Sequence, residues 1–241
     1  MDRIIDVIFS DKNVVVITGA GISTLSGIPD FRGNNGLYTK DKDIEYKLSH
    51  SYFVEEPGYF YSFYVKNMIM NNVKPNLIHE TLALLEEKGY ISYIVTQNID
   101  NLHQLAGSKN VIDIHGNGDD FYCIKCKEKY TKSDYINKGY KCSKCNGIIR
   151  PNIVLYEEML NRTKKNLAYE VINKADAVIV LGSSLVVSTI YDLLNEYIKD
   201  KNKLLFIINN QNTPFDKYAI TYKEDLAESI KKLKLELDKK I

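Results

Sequence analysis

The chain has 241 residues, 44% of them hydrophobic and 26% charged, the proportions of one large globular domain or of one domain carrying an insertion. Its 32 Lys and Arg against 31 Asp and Glu leave a formal charge of +1, which excludes a global electrostatic drive toward nucleic acid or a membrane surface. No apolar run is long enough for a signal peptide or a membrane span, so a cytoplasmic address is expected.

Behind Asp2, the residues Ile4, Ile5, Ile8 and Phe9 recur at helical spacing. The β-branched run Val14 to Thr18 then ends on Gly19-Ala20-Gly21, which predicts a buried parallel strand feeding a phosphate-type loop and a helix. Asn34 to Met70 is loop-like at first, then aromatic-rich and helical. Leu77, Leu82, Leu84 and Leu85 mark a helix that stops at Gly89, and Ile91 to Thr96 and Val111 to Ile114 are short apolar strands. Asp119 to Arg150 is polar, rich in Lys, and holds all four cysteines. Ala177 to Leu181 and Leu204 to Ile208 are further strands, separated by a helix carrying Ile190, Leu193, Leu194, Tyr197 and Ile198. This alternation predicts an open α/β sheet with helices on both faces. The two stretches that break it are expected to form a smaller inserted module.

The cysteines are the sharpest signal. Cys123-x-x-Cys126 and Cys142-x-x-Cys145, fifteen residues apart, have the spacing of a four-thiolate zinc ribbon. Paired disulfides are disfavoured because nothing suggests secretion, and a redox pair because two matched pairs sit on one polar insert. Four thiolates leave no open coordination position, so one structural Zn is expected, holding the insert together and activating no water.

Gly19-x-Gly21 after a buried strand lets a backbone approach a pyrophosphate, but Thr24 stands where the dehydrogenase fingerprint has its third glycine. The loop continues to Asp30, Phe31 and Arg32, and an acid, a ring and a guanidinium together suggest a ligand-facing wall. A third cluster, Thr96 to His103, puts amides and a carboxylate just past a strand's carboxyl end, where open α/β sheets bind ligands. Asp113-Ile114-His115-Gly116 does the same after the next strand. His115 has a site context; His50, His79 and His103 lack one and are read as structural.

Taken in order, GAGIS and SGIPDFRG within Gly19–Gly33, TQNIDNLH at Thr96–His103, IHG at Ile114–Gly116, the paired CxxC motifs, RPNIVLYEE at Arg150–Glu158, GSSLVV at Gly182–Val187 and IINNQNTPFD at Ile207–Asp216 resemble the sirtuins, the NAD-dependent protein deacylases. The likeness covers nearly the whole chain and is greatest to bacterial and archaeal members. It implies an α/β fold: a Rossmann-like open parallel sheet with helices on both faces and a smaller inserted zinc-ribbon and helical module. The sheet domain would span residues 1–33, 76–118 and 151–241, and the module residues 34–75 and 119–150.

The resemblance also implies roles. NAD, as co-substrate, would lie between the two parts, with an acyl-lysine protein or peptide entering from the opposite side. Ala20, Thr24 and Arg32 would line the phosphate and ribose side, with Phe31 over the nicotinamide ribose, and Gly19, Gly21 and Asp30 are further cofactor-binding candidates. Ile99 and Asp100 would hold the carboxamide, and Gln97 and Asn98 would order the ribose and a water. Gly182, Ser183, Ser184 and Asn209 would meet the adenosine, and the last helix near Asp225 and Leu226 would close over adenine. Val154, Leu155, Tyr156 and Val187 fall in two runs, Ile153 to Tyr156 and Ser184 to Val187, expected to be extended and to sandwich a peptide strand by β-augmentation. Ordinary sheet core is the competing reading of both.

The implied activity is NAD-dependent protein lysine deacetylation, yielding nicotinamide, deacetylated lysine and O-acetyl-ADP-ribose. The amide oxygen of the substrate would attack C1′ of the nicotinamide ribose in a dry tunnel. His115 would act as general base through the ribose hydroxyls, with Asn98 as a second catalytic candidate.

Some positions depart from the commonest sirtuin pattern: Glu157 stands where many members have Gly, Thr189 where Pro is usual, and Asn117 where Ser or Thr often follows His-Gly. Glu157 beside Glu158 adds acidity near the peptide entrance, which predicts a preference for basic residues flanking the acyl-lysine. Desuccinylating sirtuins carry Tyr-x-x-Arg in the acyl pocket; here Tyr64 is followed by Asn67, with Lys66 one position off, which favours an acetyl or apolar acyl group. Two rivals stand beside the deacetylase: NAD hydrolysis or ADP-ribose transfer in the same cleft, and a zinc-ribbon nucleic-acid reader attached to an NAD sensor. The acids Asp119, Asp120, Glu128 and Asp134 among the insert's lysines argue against the latter, so neither a specific nucleic acid nor a membrane is expected as partner.

Overall fold

The computed structural model describes residues 1–30, 36, 39, 41–70 and 72–240. Its α-helices are α1 (Asp2–Ile8), α2 (Ile44–Lys47), α3 (His50–Glu55), α4 (Pro57–Asn67), α5 (Leu77–Glu87), α6 (Leu102–Leu105), α7 (Lys132–Lys138), α8 (Arg162–Lys174), α9 (Ser188–Tyr197) and α10 (Leu226–Asp238), and Ala20–Ser26 and Asp216–Tyr218 are 3-10 helices. The strands are β1 (Val14–Thr18), β2 (Tyr93–Thr96), β3 (Val111–Asp113), β4 (Gly116–Cys123), β5 (Lys129–Thr131), β6 (Ile149–Ile153), β7 (Ala177–Leu181), β8 (Leu204–Ile208) and β9 (Ile220–Tyr222). Among these described helices none is long and apolar enough to cross a membrane.

Six strands form one sheet in the order β3-β2-β1-β7-β8-β9, and each neighbouring pair runs parallel. The continuous apolar runs are explained by burial on both faces, because side chains two apart point the same way. Val14 and Val16 face one core with Ala177, Ile179, Leu181, Phe206 and Ile208; Val15 and Ile17 face the other with Val178, Val180, Leu205 and Ile207. Helices α1, α5 and α10 cover the first face through Ile4, Leu82 and Leu233, and α8 and α9 cover the second through Ile172 and Leu194. Each such buried aliphatic side chain contributes roughly 1.5–3 kcal/mol. The fold is therefore the doubly covered parallel sheet that the sequence predicts.

The second sheet is antiparallel, in the order β5-β4-β6, with an irregularity between Asn117 and Phe121. Its core is aromatic: Phe53, Phe60 and Tyr64 from α3 and α4 meet Phe121 of β4 and Tyr135 of α7, whose rings stack at 4.5 Å. Cys123 and Cys142 sit in the same cluster.

Two boundaries differ from expectation. The strand expected from Ile91 begins at Tyr93, because the Ile91 N–H still bonds to Leu85 at the end of α5. The strand expected through Ile114 stops at Asp113. Ser184 to Val187 is not an extended run: Leu185 adopts φ 57 and turns its side chain fully into the core. That position is sheet-side core, as the competing reading had it.

Candidate functional site

The four Sγ atoms of Cys123, Cys126, Cys142 and Cys145 all lie within 4.8 Å of one another, and two pairs stand at 3.6 Å. A zinc ion with Zn–S bonds near 2.3 Å sets thiolates about 3.8 Å apart on a tetrahedron's edges, so the tetrad has the size of its metal. The Tyr130 hydroxyl donates to Cys142 Sγ at 3.1 Å and holds that thiol down to about 6. Against a lowering hydrogen bond from the Glu128 backbone, burial and the neighbouring thiols push Cys126 up to about 12. Four thiols this close cannot all ionise without a cation among them, and one structural Zn fits the donor set.

At the carboxyl ends of β1, β2, β7 and β8 the connecting loops surround a cleft of about 1170 Å³. It is lined by Gly19, Ala20, Gly21, Thr24, Asp30, Gln97, Asn98, Ile99 and His115, by Val154, Leu155 and Tyr156, and by Gly182, Ser183, Ser184, Val187 and Asn209. Asp100 faces an adjoining smaller cavity instead, which shares Ala20, Asn98 and Ile99 with the cleft. Phe31 and Arg32 lie outside the described residues.

The glycines have a reason the sequence reading did not give. Gly21 N–H donates to the Gly182 carbonyl at 2.9 Å, and a Cβ on Gly19 or Gly21 would stand 2.8 Å from that same oxygen. The loop after β1 and the loop after β7 therefore touch backbone to backbone, and only glycine permits it. Around this contact the polar side chains interlock. Gln97 Nε2 donates to Ser183 Oγ at 2.6 Å, Asn209 Nδ2 to the Ser183 carbonyl at 2.9 Å, and Asn98 Nδ2 to the Gly19 carbonyl at 3.2 Å. Ser23 donates to Asp100 Oδ2 at 2.6 Å while Asp100 Oδ1 accepts the Leu102 N–H at 3.0 Å. Asp225, expected near an adenine, lines the cleft and spends its carboxylate capping α10 at Ala227 and Glu228.

His115 is the titratable group best placed for proton transfer. Its Nδ1 lies 3.0 Å from the Gln97 carbonyl, which can only accept, so Nδ1 carries the proton and Nε2 keeps its lone pair. Burial lowers its pKa from the ordinary 6.5, partly opposed by that hydrogen bond. The imidazole is thus a neutral base at pH 7, with its tautomer fixed.

The family model for the Sir2 family matches residues 19–189. The chain belongs to the Sir2 family. The NAD-dependent protein deacetylase of Clostridium perfringens is 44% identical over 225 residues, 91% of this chain and 91% of that protein. That of Thermotoga maritima is 43% identical over 235 residues, 95% and 94% of the two chains. Among solved structures, a Sir2 with a deacetylated p53 peptide and 3′-O-acetyl ADP ribose superposes with a TM-score of 0.91 at 42% identity, over 97% of this chain and 96% of that one. A Sir2 bound to a propionylated peptide gives 0.88 at 40%, over 99% and 98%.

For a sirtuin, three parts of this site are bonded in ways that the sequence did not show. His79 completes the capping box of α5 by accepting the Asn76 N–H, and Asn76 in turn donates to the Ile22 carbonyl and to Ser26. His103 stands 2.9 Å from the Thr18 hydroxyl at the end of β1. Both histidines are structural, as expected, yet both hold the loop that forms the cleft floor. The acidic entrance is the third. Glu157 has φ 71, the left-handed backbone that explains Gly at this position in other members, and its carboxylate accepts from the Ser51 N–H and hydroxyl. Glu158 is ion-paired with Arg150, which holds its carboxyl below the usual range despite the opposing effect of burial. Of the two acids expected to favour basic residues flanking the acyl-lysine, Glu158 thus has its charge balanced inside the protein.

Proposed function

We propose that this chain removes acetyl groups from protein lysines with NAD as co-substrate, yielding nicotinamide, free lysine and O-acetyl-ADP-ribose. The observation that carries the reading is His115: a neutral imidazole with its free Nε2, lining the cleft of a chain that is 44% identical to a deacetylase over 91% of its length. NAD, when bound, supplies a ribose carbon made electrophilic by departing nicotinamide. Gln97, Ser183 and Asn209, already bonded to one another, are assigned the ribose and adenosine side, with Gly19, Ala20, Gly21, Thr24, Asp30, Phe31, Arg32, Gly182 and Ser184. Asn98, Ile99 and Asp100 are assigned the nicotinamide end, where cleft and smaller cavity meet. His115 Nε2 takes the proton, and the Gln97 carbonyl stabilises the resulting imidazolium through Nδ1–H. Val154, Leu155, Tyr156 and Val187 are assigned the acyl-lysine peptide.

The acyl group favoured is acetyl or an apolar chain. Asn67 turns its amide back to the Phe63 carbonyl, Lys66 is exposed, and Lys132, the lysine that does reach the smaller cavity, is paired with Asp119 at 2.5 Å. The deciding assay incubates NAD with acetylated, longer-acylated and succinylated lysine peptides and measures nicotinamide and O-acyl-ADP-ribose together. Acetyl-lysine-dependent formation of both is expected, and His115→Ala should lower it roughly 10²–10⁴-fold with zinc retained. Nicotinamide release without acyl-lysine would point to NAD hydrolysis or ADP-ribose transfer instead, and undiminished turnover of His115→Ala would remove this base.

A further inference from the structure

Arg150 is an unusual residue for so small a module: an arginine only 5% exposed, opposite Tyr122 on β4 and one position from the pair Ile149–Cys123. A buried ion pair roughly returns in attraction what its desolvation costs, so its use lies in fixing geometry. The Arg150 nitrogens are aimed at one short segment. Nε donates to the Pro151 carbonyl at 3.2 Å, Nη2 to the Ile153 carbonyl and to Glu158 Oε2, both at 2.8 Å, and Nη1 to Glu158 Oε1. The Phe53 ring lies under the guanidinium at 5.2 Å. Glu158 passes the constraint on: Oε2 accepts the Leu155 N–H at 2.9 Å, and Oε1 stands 3.0 Å from His50 Nδ1.

The segment so gripped, Ile153 to Glu158, is one wall of the cleft. Ile153 and Leu155 are buried, Val154 is half-buried and Tyr156 exposed, the alternation of a strand continuing past the end of β6. Its backbone is tied from behind: Val154 N–H to the His115 carbonyl at 2.8 Å, Tyr156 N–H to Leu48 at 3.0 Å, and His50 N–H to the Tyr156 carbonyl at 3.0 Å. Among the described residues no donor meets the Val154 carbonyl and no acceptor meets the Glu157 N–H. Because the Tyr156 carbonyl is tied behind, the Glu157 N–H across the same peptide plane points the other way, to the open edge, where an incoming extended chain can pair with it in fixed register, while the Val154 carbonyl lies on the side of its own N–H, toward His115.

We propose that Arg150 and Glu158 are positioning residues for the acyl-lysine peptide, setting the register of this edge strand and tying it to the zinc-ribbon sheet. The proposal rests on the deacetylase reading above. It is tested with Glu158→Gln, which keeps size and an acceptor for Leu155, and Arg150→Lys, which keeps charge but cannot span Pro151, Ile153 and both Glu158 oxygens. For each, kcat and both KM values, the anisotropy Kd of a labelled acetyl-lysine peptide, zinc content and thermal midpoint are measured. Peptide KM and Kd should rise roughly ten- to hundredfold, the size of effect that a small misplacement away from the chemistry produces. The KM for NAD and the zinc content should stay at the wild-type values. Wild-type peptide KM and Kd in folded Glu158→Gln would overturn the proposal. So would loss of zinc or of cooperative unfolding with unchanged peptide affinity in the folded fraction, since the pair would then serve stability alone. A wild-type protein that binds the peptide without deacetylating it would sink the enzymatic reading and leave the strand assignment standing; one that binds no acetyl-lysine peptide would sink both.

Discussion

Acidification should destabilise this protein through His79 and His103 well before its carboxylates titrate. Burial lowers His79 to about 4, with Asp100 opposing, and lowers His103 to about 3, helped by the positive charge His79 would carry. The rings lie 5.0 Å apart, and His79 Nε2 and His103 Nδ1 have no hydrogen-bond partner among the described residues. A proton on His79 Nδ1 would also remove the acceptor of the Asn76 N–H and open the α5 cap. Unfolded, both rings take a proton near 6.5, so their contribution is complete above pH 6.5 and is lost as pH falls from there toward 4 and 3. At pH 5 each ring favours the unfolded chain by about 2 kcal/mol, and the two together remove a large part of a stability of roughly 5–15 kcal/mol. Urea unfolding followed at half-unit steps from pH 7 to 5 measures this loss. In His103→Gln, which can still accept from Thr18, the slope should flatten by up to about 1.4 kcal/mol per pH unit. An unchanged slope in that variant would refute the reasoning.

Two further predictions concern the small module. Gly116 has φ 88, and a Cβ there would overlap the Asn152 carbonyl oxygen and stand 2.9 Å from Ile153 Cα. Gly116→Ala should therefore cost about 2–5 kcal/mol, visible as a lowered thermal midpoint, and should impair turnover beyond that because the preceding residue is His115; an unaltered midpoint would contradict the strain. Tyr130 anchors Cys142 while its own oxygen accepts the Ser143 N–H at 3.1 Å. Tyr130→Phe should release zinc to a chromogenic chelator roughly ten- to hundredfold more readily, and release at the wild-type rate would show the hydroxyl to be idle.

How much of this could be read from the chain differs by kind of force. β1, β7 and β8 end where their apolar runs end because they are buried on both faces, and hydrophobicity reports burial directly. At Ile91 the same signal misled: the side chain is buried, but its N–H belongs to the helix end and not to the ladder. At Leu185 it misled again, since an apolar residue inside a left-handed turn looks like any strand residue. The cysteine spacing was legible because a tetrahedral site imposes its own geometry on the sequence. The cleft residues were legible through likeness to the sirtuins. Physical spacing alone gave the glycine loop but not its contact with Gly182, which joins segments brought together by adjacent strands. Arg150 and Glu158 stood out only as the ends of a motif, and their pairing carried no signal, because eight residues of separation say nothing until β6 ends and the chain turns back.

The two walls of the cleft are consequently built by different physics. On the sheet side, two apolar faces fix the strands, and the loops inherit their positions from the parallel register between β1 and β7. The other wall stands on a module with one small aromatic core, where burial alone defines position weakly. There the position is over-determined by closed polar devices: the thiolate tetrad at one end of β4 and β6, and, one position in from it, Arg150, whose guanidinium reaches along β6 to the Ile153 carbonyl and to Glu158 beyond the strand's other end. Cys123 opposes Ile149, Tyr122 opposes Arg150 and Gly116 opposes Ile153. A single antiparallel ladder thus runs from the metal site past the guanidinium to the residue beside His115. Zinc that touches no substrate can in this way govern where the peptide wall stands relative to the base, by fixing the far end of the same two strands.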